Sequence, residues 1–257
     1  MNAREQFTAF RTVLTKEVLR FMRIWIQTVL PAAITTGLYF VIFGKMIGAQ
    51  LDDIGGYSYM DYIVPGIILM AIINNAYANV VSSFYSAKFQ HHVEEMLVSP
   101  MPNYLILTGF VAGGMLRGLV VGLAVTLVAA VFTELRLHDA AVVAAVVALT
   151  AMLFSLGGFI NAIYANSFDD ISIIPTFVLT PLTYLGGIFY SIDMLPGFWQ
   201  QVSLLNPIMY MINAMRYGML GVSDVDVGHA LLMIVLFVAG LFAFALHLLN
   251  KGVGIRS

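Results

Sequence analysis

The chain has 257 residues, 60% of them hydrophobic and 10% charged, with a formal net charge of −2 and no cysteine. So apolar a composition leaves too little polar surface to cover a soluble domain, and the lack of cysteine excludes disulfides and thiolate metal sites.

The first 23 residues are charged rather than apolar and lead into no small-residue cleavage pattern, unlike a secretory signal peptide, so the N-terminus is expected to be retained. Within them Phe7, Phe10, Leu14, Val18 and Phe21 recur at helical spacing, while Arg4, Arg11, Lys16 and Arg20 fall on other faces. This pattern predicts a basic amphipathic helix lying along an anionic cytoplasmic surface. Six apolar stretches follow, at 24–44, 62–87, 104–133, 140–166, 171–192 and 229–250; Arg117 is the one charge that interrupts any of them. Roughly 20 apolar helical residues cross a bilayer's hydrocarbon core, so each stretch predicts a membrane span. Residues 88–101 between the second and third spans predict a short amphipathic cytoplasmic helix stopped by Pro100 and Pro102, and 166–170 predict a tight turn. The fold class is therefore an all-α integral membrane protein of six spans, one domain over 1–257.

Basic residues set the orientation. Lys45, Arg136 and Arg216 fall in one set of loops, whereas Arg4, Arg11, Lys16, Arg20, Arg23, Lys88, Lys251 and Arg256 fall in the other, which places both termini in the cytoplasm. The uncharged stretch 194–215 is long enough for a seventh span but carries two prolines and several amides. Crossing there would break backbone bonds in lipid and put Lys251 and Arg256 outside. The segment 194–217 instead predicts two short re-entrant helices in the outer leaflet, with Trp199, Tyr210 and Tyr217 at the interface.

Chemical motifs are sparse. No phosphate-binding G-x-x-x-x-G-K-[ST] loop is present, so ATP use by that route is excluded. His91, His92, Glu94 and Glu95 have a spacing that could hold a metal, but a solvated helix face is by far the simpler account of them. Ser155 and Ser172 lack a histidine at matching depth for an intramembrane hydrolase. No catalytic, cofactor-binding or metal-ligating residue is expected. Counting in from the cytoplasmic ends puts Arg117 at the depth of Asn74 and Asn75, both about 20 Å in, so these can meet. Gly109, Gly113, Gly114, Gly118 and Gly122 give overlapping G-x-x-x-G spacings that allow another helix to approach closely, within the subunit or between two copies.

Several stretches together resemble a known family: Pro65-Gly66, EEMLVSP at 94–100, DDISIIPTFVLTPLTYLGGIFY at 169–190, LPGFW at 195–199, NPIMY at 206–210 and RYG at 216–218. They are similar to the permease subunit of ABC-type exporters, and within it to the bacterial YadH-type inner-membrane transport permeases; the likeness covers essentially the whole chain. The family includes permeases for polysaccharides, nodulation factors and drugs. The resemblance implies a homodimer that docks two copies of a separate ATPase, where ATP and magnesium would bind, through the 88–101 coupling helix. Lys88, His91, Glu94, Glu95, Asp169 and Asp170 are then the expected ATPase-coupling residues, and Trp199, Asn206, Pro207 and Arg216 belong to the re-entrant element. The first, second and fifth spans would line the route. Membrane lipids are the other expected partner; nucleic acid is not.

Two other classes fit less well. An ion-driven carrier commonly places Asp, Glu or His within its spans as proton relays, whereas the deep charge here is an arginine, which keeps its proton. A lipid-modifying enzyme would call for clustered carboxylates or histidines at an interface, and Asp169 with Asp170 is too sparse a cluster.

Overall fold

A computed structural model describes residues 1–50 and 53–254; the Lys45 side chain and Arg256, two charges used for orientation, lie outside the described set. Among the described residues the chain is helical, with no sheet beyond one isolated bridge between Ile54 and Tyr57. Helix α1 spans Ala3–Arg23, and α2, Trp25–Tyr39, continues as a π-helical stretch, Phe40–Ile47. The long helices α3, Tyr59–Phe89, and α5, Asn103–Phe132, are joined through the seven-residue α4, His92–Val98. Helix α6, Ala140–Tyr164, leads to α7, Asp170–Ile174, a π-helical turn, Pro175–Leu179, and α8, Thr180–Tyr184. Short helices α9, Gly197–Leu204, and α10, Pro207–Leu220, precede α11, Val227–Lys251.

Local chemistry sets these boundaries. Asn2 and Glu5 cap α1 reciprocally, each accepting the other's backbone N–H at 2.9 Å. Asp139 caps α6 by accepting from Ala141 and Val142, and Asp226 caps α11 by accepting from His229 at 2.8 Å. Gly221 and Gly252, at φ 80° and 66°, close α10 and α11 in the left-handed conformation.

Among the described residues, five helices are long and apolar enough to cross a membrane: Trp25–Gly44, Tyr59–Phe89, Asn103–Phe132, Ala140–Tyr164 and Val227–Lys251. The predicted fifth span, 171–192, departs from expectation. Its helix ends at Tyr184, about 22 Å from its start at 1.5 Å per residue. Pro175 and Pro181 remove two backbone donors, and the ladder widens to π geometry between them. Beyond Tyr184 the chain turns at Gly187, whose φ of 78° a residue with a Cβ rarely adopts. The broken segment still joins both ends of the bundle: Asn161 Nδ2 donates to the Ile171 carbonyl, and Tyr59 OH donates to the Phe189 carbonyl.

Helix α3 is the hub, with 21 of its 31 residues buried between α5, α6 and α10. The glycine stripe of α5 makes this possible. A Cβ on Gly114 would stand 2.4 Å from Val80 Cγ2 and 2.5 Å from Ser155 Oγ, and one on Gly122 would stand 2.7 Å from Ile72 Cγ1. On the same helix Gly109 and Gly113 admit Val13 and Glu17 of α1. All five glycines thus serve contacts inside the subunit. Gly114→Leu should destabilise the purified protein by about 3 kcal/mol, since neither α3 nor α6 can retreat without opening the core. Gly240→Leu, on α11 with open space around it, should be neutral in the same thermal unfolding assay.

Helix α1 also departs from the predicted surface helix. Contacts advance along α1 and α5 together, from Tyr104 OH donating to Gln6 Oε1, through Val13 at Gly109, to Glu17 at Gly113. The helix therefore runs beside α5 instead of standing apart from the spans. Its buried positions are Val13, Glu17 and Phe21, while Phe7 is 65% exposed, so the packed face is rotated from the one that apolar residues alone indicate.

Candidate functional site

Along α3 the buried residues are overwhelmingly apolar, and the edge left open is not. Met70, Asn74, Ala78, Ser82 and Ser86, four residues apart and hence on one face, form that edge, with Asn75 and Asn79 beside it. A lipid-facing edge would carry apolar side chains, so this one suits water or protein.

Three polar contacts climb this seam. Arg117 Nη2 donates to Asn75 Oδ1 at 3.3 Å, and Asn75 Nδ2 donates to the Ala71 carbonyl at 3.0 Å, which fixes the amide's orientation. One helical turn away, Arg20 Nη2 donates to both Asn79 O and Oδ1 at 2.8 Å. Next along, the Ser83 hydroxyl donates to Glu17 Oε1 at 2.7 Å, while Glu17 Oε2 lies 3.5 Å from Arg20 Nε. Arg117 sits midway along α5, about 21 Å from Asn103. Asn74 does not join it; that side chain is exposed and lines a 180 Å³ cavity with Thr35, Tyr39, Met70, Thr180, Thr183 and Tyr184. The Glu17–Arg20 pair escaped the sequence reading. Its signal is an acidic residue four positions from both Val13 and Phe21, on the face those two bury.

The end of the bundle carrying α4 also carries the start of α1 and the end of α11: α1 and α4 line one groove, and Asn103 Nδ2 donates to Asn250 Oδ1. Here the predicted 88–101 helix is shorter than expected. Lys88 belongs to the last turn of α3, and its ammonium donates to the Ile163 and Ala165 carbonyls, both at 2.7 Å, closing the C-terminal end of α6. His91, at φ 60°, makes the turn that separates α3 from α4, with Nδ1 2.9 Å from Glu94 Oε1. Val93 anchors α4 inward while His92, Glu94 and Glu95 stay exposed. The turn 166–170 packs on the end of α3 that leads into α4, through Phe168 against Tyr85 and Phe89. Asp170 Oδ2 accepts the Asn166 and Ser167 N–H groups, which holds its carboxyl below the usual range; Asp169 is exposed.

At the opposite end residues 194–217 hold two short helices, α9 and most of α10. Asn206 caps α10 through Ile208 N, Pro207 takes its first position, and Asn206 Nδ2 donates to the Leu182 carbonyl at 2.6 Å. Trp199 is 46% exposed on α9. Arg216, read as a loop charge, is instead 1% exposed within α10. Its guanidinium donates to the Gly187 carbonyl at 2.6 Å, stands 3.9 Å over the Tyr62 ring and lies 3.8 Å from Asp224.

The profile of the ABC-2 type transporter family matches residues 8–220. Over 251 residues, 98% of each chain, the sequence is 51% identical to Inner membrane transport permease YadH of Escherichia coli strain K12. It is 25% identical to Nodulation protein J of Rhizobium leguminosarum bv. viciae over 185 residues, 72% of this chain and 71% of that one. Nodulation protein J of Rhizobium meliloti strain 1021 is 24% identical over 192 residues, 74% of this chain and 73% of its own.

Proposed function

Because the chain belongs to the ABC-2 type transporter family, we propose that it is the transmembrane permease subunit of an ATP-driven exporter in the bacterial inner membrane. The observation that carries this reading is α4: a seven-residue helix with an exposed acidic pair, set between the two longest helices of the bundle. A push on α4 reaches the core through Val93 and moves α3 and α5 together. In this reading two copies of the permease associate, and two copies of a separate ATPase, which hold ATP and magnesium, dock on α4 and the neighbouring 166–170 turn. Both termini are cytoplasmic and the chain crosses six times, the broken segment from 171 to 187 counting as the fifth crossing; that the start of α1 and the end of α11 lie at the α4 end supports an even number. The α9–α10 pair then caps the outer side, and the polar edge of α3 faces the route.

The test is the Glu94→Lys, Glu95→Lys double variant. Both positions are exposed, so the fold should persist, while attraction to a basic groove on the ATPase becomes repulsion. Pull-down of the ATPase should fall at least about tenfold, with a matching loss of substrate-stimulated ATP hydrolysis in liposomes. Undiminished assembly and coupling would remove these carboxylates from the contact, and transport by the permease alone would overturn the exporter reading.

A further inference from the structure

We propose that Arg117 and Arg20, with Asn75 and Asn79, form a recognition site for the anionic head of an amphiphile, a phosphate or carboxylate carried on an apolar tail. The charges in the seam do not balance. Glu17 answers Arg20 at 3.5 Å. Every other Asp or Glu among the described residues lies in a loop, at a helix cap or in a first helical turn, so Arg117 has no carboxylate at its own depth. Of the five donors of its guanidinium, one reaches a neutral amide at 3.3 Å, and its buried Nε has no hydrogen-bond partner. An arginine keeps its proton even there, so the site retains an excess positive charge in surroundings that penalise it. An incoming anion would relieve that penalty, and the planar fork of a guanidinium suits the paired oxygens of phosphate or carboxylate.

The site is also reachable. Arg117 is partly exposed and the Arg20 side chain 30% exposed, both beside the open α3 edge of Asn74, Ala78 and Ser82. The adjoining α5 surface, Leu116, Val120 and Leu123, is exposed and apolar, matching a hydrocarbon tail. A resident anionic lipid and an exported amphiphile share this chemistry; the substrate half of the inference rests on the transport reading, and the binding half stands without it.

Purified full-length protein in a neutral detergent is titrated with dioctanoyl phosphatidic acid and, separately, dioctanoyl phosphatidylcholine. Wild type should bind the phosphatidic acid about tenfold more tightly. Arg117→Gln and, made in parallel, Arg117→Met should lose most of that preference. Arg117→Lys should keep part of it, and Arg136→Gln, an exposed arginine in the α5–α6 loop, should leave it unchanged. Mass spectrometry of co-purified lipids separates the sources. An anionic phospholipid present with wild type and lost with Arg117→Gln marks a resident lipid. An Arg117-dependent preference with no such lipid retained marks an exchangeable substrate. Equal affinity of wild type for both probes, or an undiminished preference in folded Arg117→Gln and Arg117→Met, would overturn the site. Neither result touches the ATPase pull-down, which tests the transport reading separately.

Discussion

Arg216→Leu should lower the unfolding temperature of the purified protein by roughly 10 °C or more, the largest effect expected of any single substitution here. The guanidinium ties four segments at the end of the bundle opposite α4. It donates to the Gly187 carbonyl in the turn that ends the broken span, lies 3.8 Å from Asp224 in the α10–α11 loop, stacks on Tyr62 in the first turn of α3, and is itself part of α10. Asp224 in turn accepts from Ile192 N at 3.1 Å and donates its own N–H to Asn213 Oδ1 at 2.9 Å. Leucine matches the volume of the stem but leaves a buried carbonyl unpaired and an aspartate without its cation. Removing one partner from a buried charged contact costs about 3–5 kcal/mol. Arg216→Lys should fall between, since an ammonium keeps the charge and loses the planar stacking on Tyr62. An unfolding temperature unchanged in Arg216→Leu, read by fluorescence-detected gel filtration after heating, would show that the four segments hold together without it.

That hub marks where sequence reading reaches its limit. Spans at 62–87, 104–133, 140–166 and 229–250 are legible because apolar length alone defines them, and each is a continuous helix within a few residues of those bounds. Span 171–192 has the same composition, yet Pro175, Pro181 and Gly187 decide its geometry, and apolar length says nothing about where a helix breaks. Arg117 and Asn75 are brought together because counting residues from a helix end is a good ruler along two antiparallel helices. Arg216 has no such ruler: its partners come from a turn, a loop and a neighbouring helix, none fixed in depth by sequence. Helix α1 is misread for a third reason. Its packing face includes a glutamate, and a search for apolar periodicity passes over a residue whose burial helps to show where the helix sits.

Glu17→Leu should therefore loosen α1 from the bundle, by about 2 kcal/mol, though the substitution makes the helix more apolar. Glu17 is fully buried, accepts from the Ser83 hydroxyl at 2.7 Å and lies 3.5 Å from Arg20 Nε. Leucine would leave the serine hydroxyl without its acceptor and Arg20 without its carboxylate. Arg20 keeps its bonds to Asn79 and is 30% exposed, so solvent screening holds the loss below that of a fully buried pair. Arg20→Leu alone strands the glutamate instead, in a site with no other cation bonded to it, and should cost more than Glu17→Leu. Removing both charges together should recover part of the loss, giving a coupling energy of about 1 kcal/mol or more in the double-variant cycle. The same order should appear in trypsin cleavage at Arg11, Lys16 and Arg23, which becomes faster as α1 detaches from α5. Strictly additive single effects, with cleavage rates equal to wild type, would mean that Val13 and Phe21 alone dock α1, and that the buried ion pair is incidental to its position.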